Sequence, residues 1–283
     1  MILDSDIDFS SVSKSFQPIG TNEYTYFNGT FDGQGDIISN LLMNSSLQYT
    51  GLFGYSYGIK IKNVVLDSSC SVTSSFVGDF VNVNTGGLIG LCPAVDTPCT
   101  IESIINMANI SFKGSVTRDI ILGGIAGTFG SRQHEFLAKN CVNYGRLEDT
   151  GSYLCNHIGG ITGMDEGTPR NNFIVNCANF GTIIINGKNL KGSSGYMRAG
   201  GISGISTNAY TINCLSAGKI KPYSKSIRSI GSIHGYLNAN ATISHCYHTL
   251  NTGYDTNGGF WTNTNVSVSD SYLVELNESI LKN

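Results

Sequence analysis

The stretch GIAGTFGSRQHEFLAKNCVNYG, residues 124–145, contains the two short motifs that decide the fold of this 283-residue chain. The first motif opens and closes with Gly around an apolar residue. Its copies are GLFG (51–54), GLIG (87–90), GIAG (124–127), GITG (160–163), GISG (201–204), the variant SIHG (232–235) and a degenerate GFWT (259–262). From the first copy to the sixth, the closing residues lie 36, 37, 36, 41 and 31 positions apart. Self-similarity at this period indicates a stacked repeat architecture.

The second motif lies between copies of the first and places Asn before a core residue. Its copies are ISNL (38–41), IKNV (61–64), IINM (104–107), AKNC (138–141), IVNC (174–177), TINC (211–214) and ISHC (243–246). The central residues are Asn40, Asn63, Asn106, Asn140, Asn176, Asn213 and His245, with a weak last copy at Asp270. The interval from Asn40 to Asn63 leaves room for one turn of a β-solenoid and not for two. We therefore predict one coil per repeat, about eight coils, with insertions at the corners.

The apolar pattern indicates strands rather than helices. One slot of the first motif is always apolar, whereas its neighbour varies through Phe53, Ile89, Ala126, Thr162, Ser203 and His234. Period-two alternation predicts that the first slot faces inward and the neighbour faces outward. The segments GTIII (181–185) and GKIK (218–221) indicate a further strand per repeat, and the best helix candidate is the tail, 273–281. The predicted fold is an all-β parallel β-helix in one domain, 1–283, with an N-terminal coil or cap (1–20), repeat coils (21–260) and a C-terminal coil and cap (261–283).

The Asn residues of the second motif are predicted to stack as a ladder at a corner. The apolar residues two places before and one place after the Asn are both expected to face inward. Strict alternation along a strand forbids this, because the two positions are three residues apart. A left-handed conformation at the Asn would reset the alternation. Stacked carboxamides then donate to and accept from one another along the axis. A ligand-binding ladder is the alternative interpretation.

The cysteines of the second motif are predicted to be buried thiols. Cys141, Cys177, Cys214 and Cys246 share a slot that Leu41, Val64 and Met107 occupy in earlier copies, so the slot belongs to the core. Stacked strands are about 4.8 Å apart, which is wider than the Cβ separation of a disulfide. Cys92 and Cys99 lie in the insertion CPAVDTPC (92–99), which either closes as a disulfide or stays open, and the sequence leaves Cys70 and Cys155 undecided.

The chain resembles the GLUG-repeat family. The resemblance is carried by PIGTNEYTYFNGTFDGQGDIISNLLM (18–43), TGLFGYSYGIKIKNVVLD (50–67) and the later NCVNYG (140–145) and NCANFG (176–181), and it covers the chain from about residue 6 to 273. Such repeats are typical of large surface-exposed or secreted proteins, including adhesins and stalk regions beside bacterial immunoglobulin A peptidases. The resemblance implies a right-handed parallel β-helix in an extracellular setting and implies no chemistry. The chain departs from the pattern at Ser232, Trp261 and Thr262, and its first ten residues do not read as a secretion signal.

Composition and motif searches argue against most other functions. The chain has 17 Lys and Arg, scattered, and a net charge of −3, which does not suit nucleic-acid binding. No window is apolar enough for a membrane span. FDGQGD (31–36) is read as a turn rather than a calcium loop, Asp165 and Glu166 as solvated loop acids, and HCYH (245–248) as ladder and core residues rather than metal ligands. We expect no catalytic residue, cofactor or metal.

Two binding features remain open. The slot after the closing residue of the first motif reads Tyr55, Leu91, Thr128, Met164, Ile205 and Tyr236, which is not a regular aromatic platform for sugars. Glycan acceptor triplets are about as frequent as chance predicts. They lie at Asn28, Asn44, Asn109, Asn240, Asn265 and Asn277.

The leading functional hypothesis is a non-catalytic extracellular structural or adhesive β-solenoid. Its open strand edges predict head-to-tail self-association into a filament through residues 1–20 and 261–283. The alternatives are a carbohydrate-binding module for cell-surface glycans and a non-catalytic arm of a larger secreted enzyme.

Overall fold

The computed structural model describes residues 1–12, 14–93, 97–130, 134–167, 172–190, 195–223, 227–249, 267–269 and 272–273. Their regular structure consists of 36 strands, numbered β1–β36 along the chain, without a helix. In this described part, no helix could therefore cross a membrane. The fold is all-β, and its parallel strands in curled sheets fit the β-solenoid or β-helix class.

The strands form four sheets in which strands from successive repeats pair in parallel. The large sheet has 20 strands: β1 (Ile7–Asp8), β2 (Phe27–Asp32), β3 (Ile37–Ser39), β6 (Phe53–Leu66), β10 (Ile89–Cys92), β11 (Cys99–Asn106), β15 (Ala126–Phe129), β16 (Phe136–Lys139), β17 (Val142–Asn143), β21 (Thr162–Glu166), β22 (Phe173–Val175), β23 (Ala178–Asn179), β27 (Ser203–Thr207), β28 (Tyr210–Ile212), β29 (Leu215–Ser216), β32 (His234–Asn238), β33 (Thr242–Ser244), β34 (Tyr247–His248), β35 (Ser267–Ser269) and β36 (Tyr272–Leu273).

Three smaller sheets complete the circuit. The second sheet comprises β4 (Leu42–Ser45), β7 (Ser71–Ser74), β12 (Asn109–Phe112), β18 (Leu147–Asp149), β24 (Ile183–Ile185) and β30 (Ile220–Pro222). The third sheet comprises β8 (Val77–Gly78), β13 (Ser115–Val116), β19 (Ser152–Tyr153) and β25 (Lys188–Asn189). The fourth sheet comprises β5 (Tyr49–Thr50), β9 (Val83–Gly86), β14 (Ile120–Gly123), β20 (Asn156–Gly159), β26 (Tyr196–Gly200) and β31 (Ile227–Gly231). The strands predicted in GTIII and GKIK are β24 and β30.

One repeat visits the sheets in a fixed order. From β14 the chain passes a glycine corner into β15 and β16 of the large sheet, turns at Asn140 into β17, and continues through β18 and β19 to β20, which pairs with β14. Equivalent positions therefore lie in register along one axis. One such column starts at Ile7 and runs through Ile38, Leu66, Asn106, Asn143, Asn179, Ser216, His248 and Leu273.

The interior is lined by both slots of the Gly motif. The predicted inward file, Leu52, Leu88, Ile125, Ile161, Ile202 and Ile233, is buried. The neighbouring file, which we predicted to face outward, is fully buried as well, so that prediction was wrong. The cause is a corner between the two slots: the amides of Leu88 and Ile89 both donate to Ile125 O, at 3.0 Å each. Because the chain turns between these adjacent residues, both side chains point into the protein interior.

Candidate functional site

The predicted asparagine corner exists, but its members differ in part from the prediction. The outer file, as we call it, consists of residues with φ between 52° and 55°: Asn63, Ser103, Asn140, Asn176, Asn213 and His245. Asn176 Nδ2 donates to Asn140 Oδ1 over 3.2 Å, and Asn213 Nδ2 donates to Asn176 Oδ1 over 2.7 Å. These three carboxamides are exposed, so their hydrogen bonds compete with water.

Asn40 and Asn106 do not belong to the outer file, which corrects the sequence alignment. Asn40 is left-handed but lies at the next corner, before β4, where its Nδ2 donates to Asp8 Oδ1 over 2.8 Å. Ser103 holds the position expected for Asn106, because Glu102 pairs with Lys139 and Ile105 with Val142. The interval from Asn40 to Asn63 is thus not a coil length. A motif of four residues matched the wrong corner because Asn occurs at both corners, left-handed at Asn40 but not at Asn106.

The cysteines of the second motif occupy the core slot after the outer file. The residues in it are Val64, Ile104, Cys141, Cys177, Cys214 and Cys246. Leu41 and Met107, which we predicted to share it, lie at the following corner. All four cysteines are buried free thiols. Each Sγ is 3.3–3.4 Å from the carbonyl two residues earlier, as Cys141 is from Lys139 O. The thiol therefore supplies a weak donor to a corner carbonyl, which Leu or Val cannot do.

The other four cysteines divide into two kinds. Cys92 and Cys99 are joined by a disulfide, with their Cα atoms 6.9 Å apart. Cys70 and Cys155 are free, the first buried and the second half-buried. Burial raises the pKa of both thiols.

A second asparagine ladder, which the sequence reasoning missed, lies inside the protein. Asn106, Asn143 and Asn179 are fully buried and form what we call the inner file. Asn106 Nδ2 donates to Asn143 Oδ1 over 2.8 Å, and Asn143 Nδ2 donates to Asn179 Oδ1 over 2.9 Å. Each Nδ2 also donates to a carbonyl two residues later, such as Gly145 O at 3.0 Å. The signal was available as the second Asn of NCVNYG and NCANFG.

The inner file explains why the first motif opens with glycine. A Cβ at Gly124 would overlap the carboxamide of Asn143 and the carbonyl of Gly160, and a Cβ at Gly160 would overlap Asn179. The opening glycine of one motif and the second asparagine of the other are therefore two halves of one packing contact.

Among the described residues, two carboxylates are buried in the interior, and one of them corrects a prediction. Asp165 is fully buried and not a solvated loop acid. Its carboxylate accepts hydrogen bonds from the hydroxyls of Thr162, Ser203 and Ser206 at 3.3, 2.5 and 2.6 Å. Burial outweighs these hydrogen bonds and raises the pKa of Asp165 to about 6. It was misread because its insertion contains Gly and Pro, which usually signal surface loops.

Asp149 is the second buried carboxylate. It accepts from Tyr153 Oη over 2.5 Å and from the Gly151 amide over 3.0 Å. Burial raises its pKa to about 6. Neither acid forms an ion pair with a described residue, and both are sealed from solvent.

The remaining predicted residues lie on the surface or outside the described part. In FDGQGD, the carboxylate of Asp32 forms an ion pair with Lys62 Nζ at 2.8 Å and accepts a hydrogen bond from Asn63 Nδ2 at 3.0 Å, which agrees with a turn. Asn28, Asn44, Asn109 and Asn240 are exposed. Asn265, Asn277, Asp270, the copy at 259–262 and most of the C-terminal segment lie outside the described residues. The described part contains no group of His, Cys, Asp or Glu arranged to hold a metal ion.

An axial groove on the outer surface runs along the glycine corner. Here the fourth sheet and the large sheet meet backbone to backbone: a Cβ at Gly127 would lie 2.7 Å from Thr85 N, and one at Gly90 would lie 2.7 Å from Thr50 N. Glycine lets the two sheets close to an acute outer angle. Side chains just beyond the corner consequently face each other across a groove.

Two files of side chains form the groove walls. The wall on the fourth sheet is Tyr49, Asn84, Ile121, His157, Arg198 and Ser229. The wall on the large sheet is Tyr55, Leu91, Thr128, Met164, Ile205 and Tyr236, the slot that looked irregular in sequence. Contacts across the groove include the Tyr49 and Tyr55 rings, 5.1 Å apart, and Thr128 Oγ1, which donates to Asn84 Oδ1 over 2.5 Å.

The groove is open at one section and closed at another. Where Asn84 and Thr128 form its floor, a cavity of about 350 Å³ opens to solvent, with Phe80 and Arg118 among its lining residues. Farther along, the Arg198 guanidinium lies 4.4 Å from the Tyr236 ring centroid and covers the groove. The groove therefore has an open section at this cavity and a section that the cation–π contact of Arg198 with Tyr236 covers.

Beside the cavity, a His–Asp–Cys cluster lies on the wall without forming a nucleophile–base pair. Asp119 Oδ2 is 3.5 Å from His157 Nε2 and also interacts with the Cys155 thiol. Burial acts to raise the pKa of Asp119 because it disfavours the charged carboxylate, but the interactions with its neighbours, foremost the hydrogen bond with His157, outweigh burial and lower that pKa. Burial lowers the pKa of His157, which favours the neutral imidazole. Asp119 contacts both side chains, and the interactions of the His157 ring among the described residues do not include the Cys155 thiol, whereas nucleophilic catalysis by a Cys–His pair requires that contact.

Comparison with known proteins supports the fold class. The structure is similar to the crystal structure of a "putative immunoglobulin A1 protease" from Bacteroides ovatus, with a TM-score of 0.57 and 18% sequence identity, over 95% of this chain and 77% of the other. No protein-family model and no curated protein matches the chain. At this identity the likeness concerns the fold and carries no activity.

Proposed function

We propose that this protein is a non-catalytic extracellular β-solenoid with a structural or adhesive function, and that it presents the axial groove to ligands. The groove is the observation that carries the proposal, because it is a solvent-accessible concave surface built by the repeat itself. The other repeated positions described above serve the stack itself: the inner file and the core cysteines are buried, and the exposed outer file forms hydrogen bonds from coil to coil. A stiff stack with one recognition groove suits display at a surface better than turnover of a substrate.

We further propose that the chain winds as a right-handed helix of eight coils. The column from Ile7 to Leu273 supports the number, since it contains nine positions and therefore eight steps along the axis. The handedness is supported by the general rule that crossovers between parallel strands of a sheet are right-handed.

The burial of Asp149 and Asp165 supports the proposal that the protein is not catalytic. Asp149 and Asp165 carry raised pKa values, as catalytic acids do, but both are enclosed in the core where no substrate reaches them. Their perturbation is explained by burial within a structural network.

Self-association at the N-terminal edge is a further part of the proposal. β1 pairs with β3, and Met1 and Ile2 are 68% and 66% exposed. An exposed edge with apolar side chains is a template for another strand. The complementary segment, 261–283, falls almost wholly outside the described residues.

Surface labelling tests the extracellular assignment. Antibodies raised against the purified chain should label intact cells of the source organism, and immunogold electron microscopy should place the label outside the cell envelope. Antibody depleted on the purified chain is the control. Label that appears only after permeabilisation would reject the proposal. Light scattering over a concentration series tests self-association separately, and a concentration-independent monomer would reject that part.

A further inference from the structure

We propose that the cavity in the axial groove binds the end of a neutral oligosaccharide. The inference rests on the proposed function and gives its ligand a chemical class. Pyranose rings have apolar C–H faces and a rim of hydroxyls, so a sugar site needs an aromatic surface beside a few fixed polar groups. The cavity has both.

The aromatic surface is formed by Phe80 and Tyr49. Phe80 is 85% exposed and adopts a left-handed backbone, with φ of 60°. Its amide is held by Thr117 Oγ1 at 2.9 Å, which anchors this conformation. An exposed ring on a strained backbone adds nothing to packing, and such strain clusters at binding sites. Tyr49 is held by its edge-on contact with Tyr55 and completes the surface.

The polar groups lie on the floor and rim of the cavity. Asn84 is only 4% exposed, and its Oδ1 is occupied by Thr128, which leaves Nδ2 without a partner among the described residues. This amide nitrogen is not sealed from solvent, so it reaches the open cavity and can donate to a ligand hydroxyl in place of water. Gln48 lies at the rim, where its Nε2 is fixed by Asn82 O at 2.9 Å.

Charge and size favour a neutral ligand that enters by its end. The exposed cation Arg118 lies at the rim, but Asp119 follows it in the chain and offsets its charge. The volume of about 350 Å³ is at the small end of the range of about 300–1,000 Å³ for small-molecule sites. Because the Arg198 side chain lies over the Tyr236 ring and covers the groove there, a long polymer could not continue along it. One or two terminal sugars therefore fit better than the middle of a long chain.

The test is a glycan array of neutral and acidic oligosaccharides, followed by calorimetric titration of the neutral oligosaccharides that bind. Phe80→Ala should weaken binding about tenfold or more, because the sugar loses the exposed ring against which its apolar face packs. Asn84→Ala should weaken it similarly, and a thermal melt of each variant checks that it is folded. Tyr223→Ala is the matched control and should bind like the wild type, because Tyr223 is an exposed aromatic that follows β30 and does not line the cavity.

Three outcomes would overturn the inference. They are no binding at millimolar concentrations of any neutral oligosaccharide, binding confined to acidic glycans, and binding that folded Phe80→Ala and Asn84→Ala retain in full. Surface labelling of the cells is independent of all three. A protein found at the surface without sugar binding would therefore keep the proposed function and lose only this ligand.

Discussion

The carboxamide of Asn143 donates from Nδ2 to Oδ1 of Asn179 over 2.9 Å, and both side chains are fully buried. The same two residues lie against Gly124 and Gly160, whose missing side chains make room for them. The inner file thus ties the two sequence motifs together at three successive steps of the stack, through Gly87, Gly124 and Gly160. It also satisfies carbonyls at the following corner, which would otherwise be buried without a donor.

Replacing Asn143 with Ala should lower the free energy of unfolding by about 2–4 kcal/mol. The substitution leaves Gly145 O without its side-chain donor, removes the acceptor of Asn106 Nδ2 and opens a cavity. Urea denaturation measures the change. The matched control is Asn140→Gly in the outer file, where the side chain is exposed and glycine tolerates the left-handed backbone. Equal losses in the two variants would contradict the distinction between the files.

Because of Asp165, the free energy of unfolding should fall as the pH rises from about 4 to about 6. The pKa of Asp165 is raised from 3.8 to about 6, so the folded state binds a proton more tightly than the unfolded state. The stabilisation is fully present below pH 4 and is lost as the pH rises through 6. A shift of about two units corresponds to roughly 3 kcal/mol.

Asp165→Asn should flatten this part of the pH profile and raise the free energy of unfolding at pH 8 by about 1–3 kcal/mol. Urea denaturation at several pH values measures both effects. Asp32→Asn is the control: its interaction with Lys62 lowers the pKa of Asp32 to about 2, so it contributes stability above pH 4 that is lost only in stronger acid. An unchanged slope in Asp165→Asn would show that the carboxylate is not the titrating group.

The cysteines should divide into three classes by reactivity. In the folded protein a thiol reagent should modify the half-buried Cys155 first and leave Cys141 and Cys214 unmodified, because burial raises the pKa of those two thiols and blocks access. After non-reducing denaturation six thiols should react. Cys155→Ser should abolish the fast phase. Rapid modification of Cys141 in the folded state would contradict the buried file.

Reduction of the disulfide between Cys92 and Cys99 should lower the free energy of unfolding without unfolding the protein. The bond closes a short loop, with a sequence separation of 7, for which the chain-entropy model predicts about 2–3 kcal/mol. Urea denaturation with and without a reductant measures the difference. A variant with both cysteines changed to Ala should match the reduced wild type and be insensitive to the reductant. A reductant effect that persists in the double variant would place the redox-sensitive bond elsewhere.

Sequence periodicity was sufficient for the fold class but not for the alignment of every repeat. The corners at Asn140, Asn176 and Asn213 followed from the broken alternation around them. Asn40 and Asn106 were misplaced because insertions change the spacing, so a four-residue match does not establish which corner is which. Strand register decides this, and register is a contact between residues about 36 positions apart in the chain.

The chain alone determined that it stacks: equivalent glycines, asparagines and core residues recur, and parallel strands bring equivalent residues into register wherever one face must be buried. The three-dimensional structure decided which residues meet across the coil. Asn84 and Thr128 share the groove floor because the glycine corner folds two sheets together, and Asp165 is buried because the strand after that corner turns it inward. Both outcomes depend on how the sheets meet at the glycine corner. The recurring glycines mark that corner in the sequence, but they do not indicate which side chains meet across it.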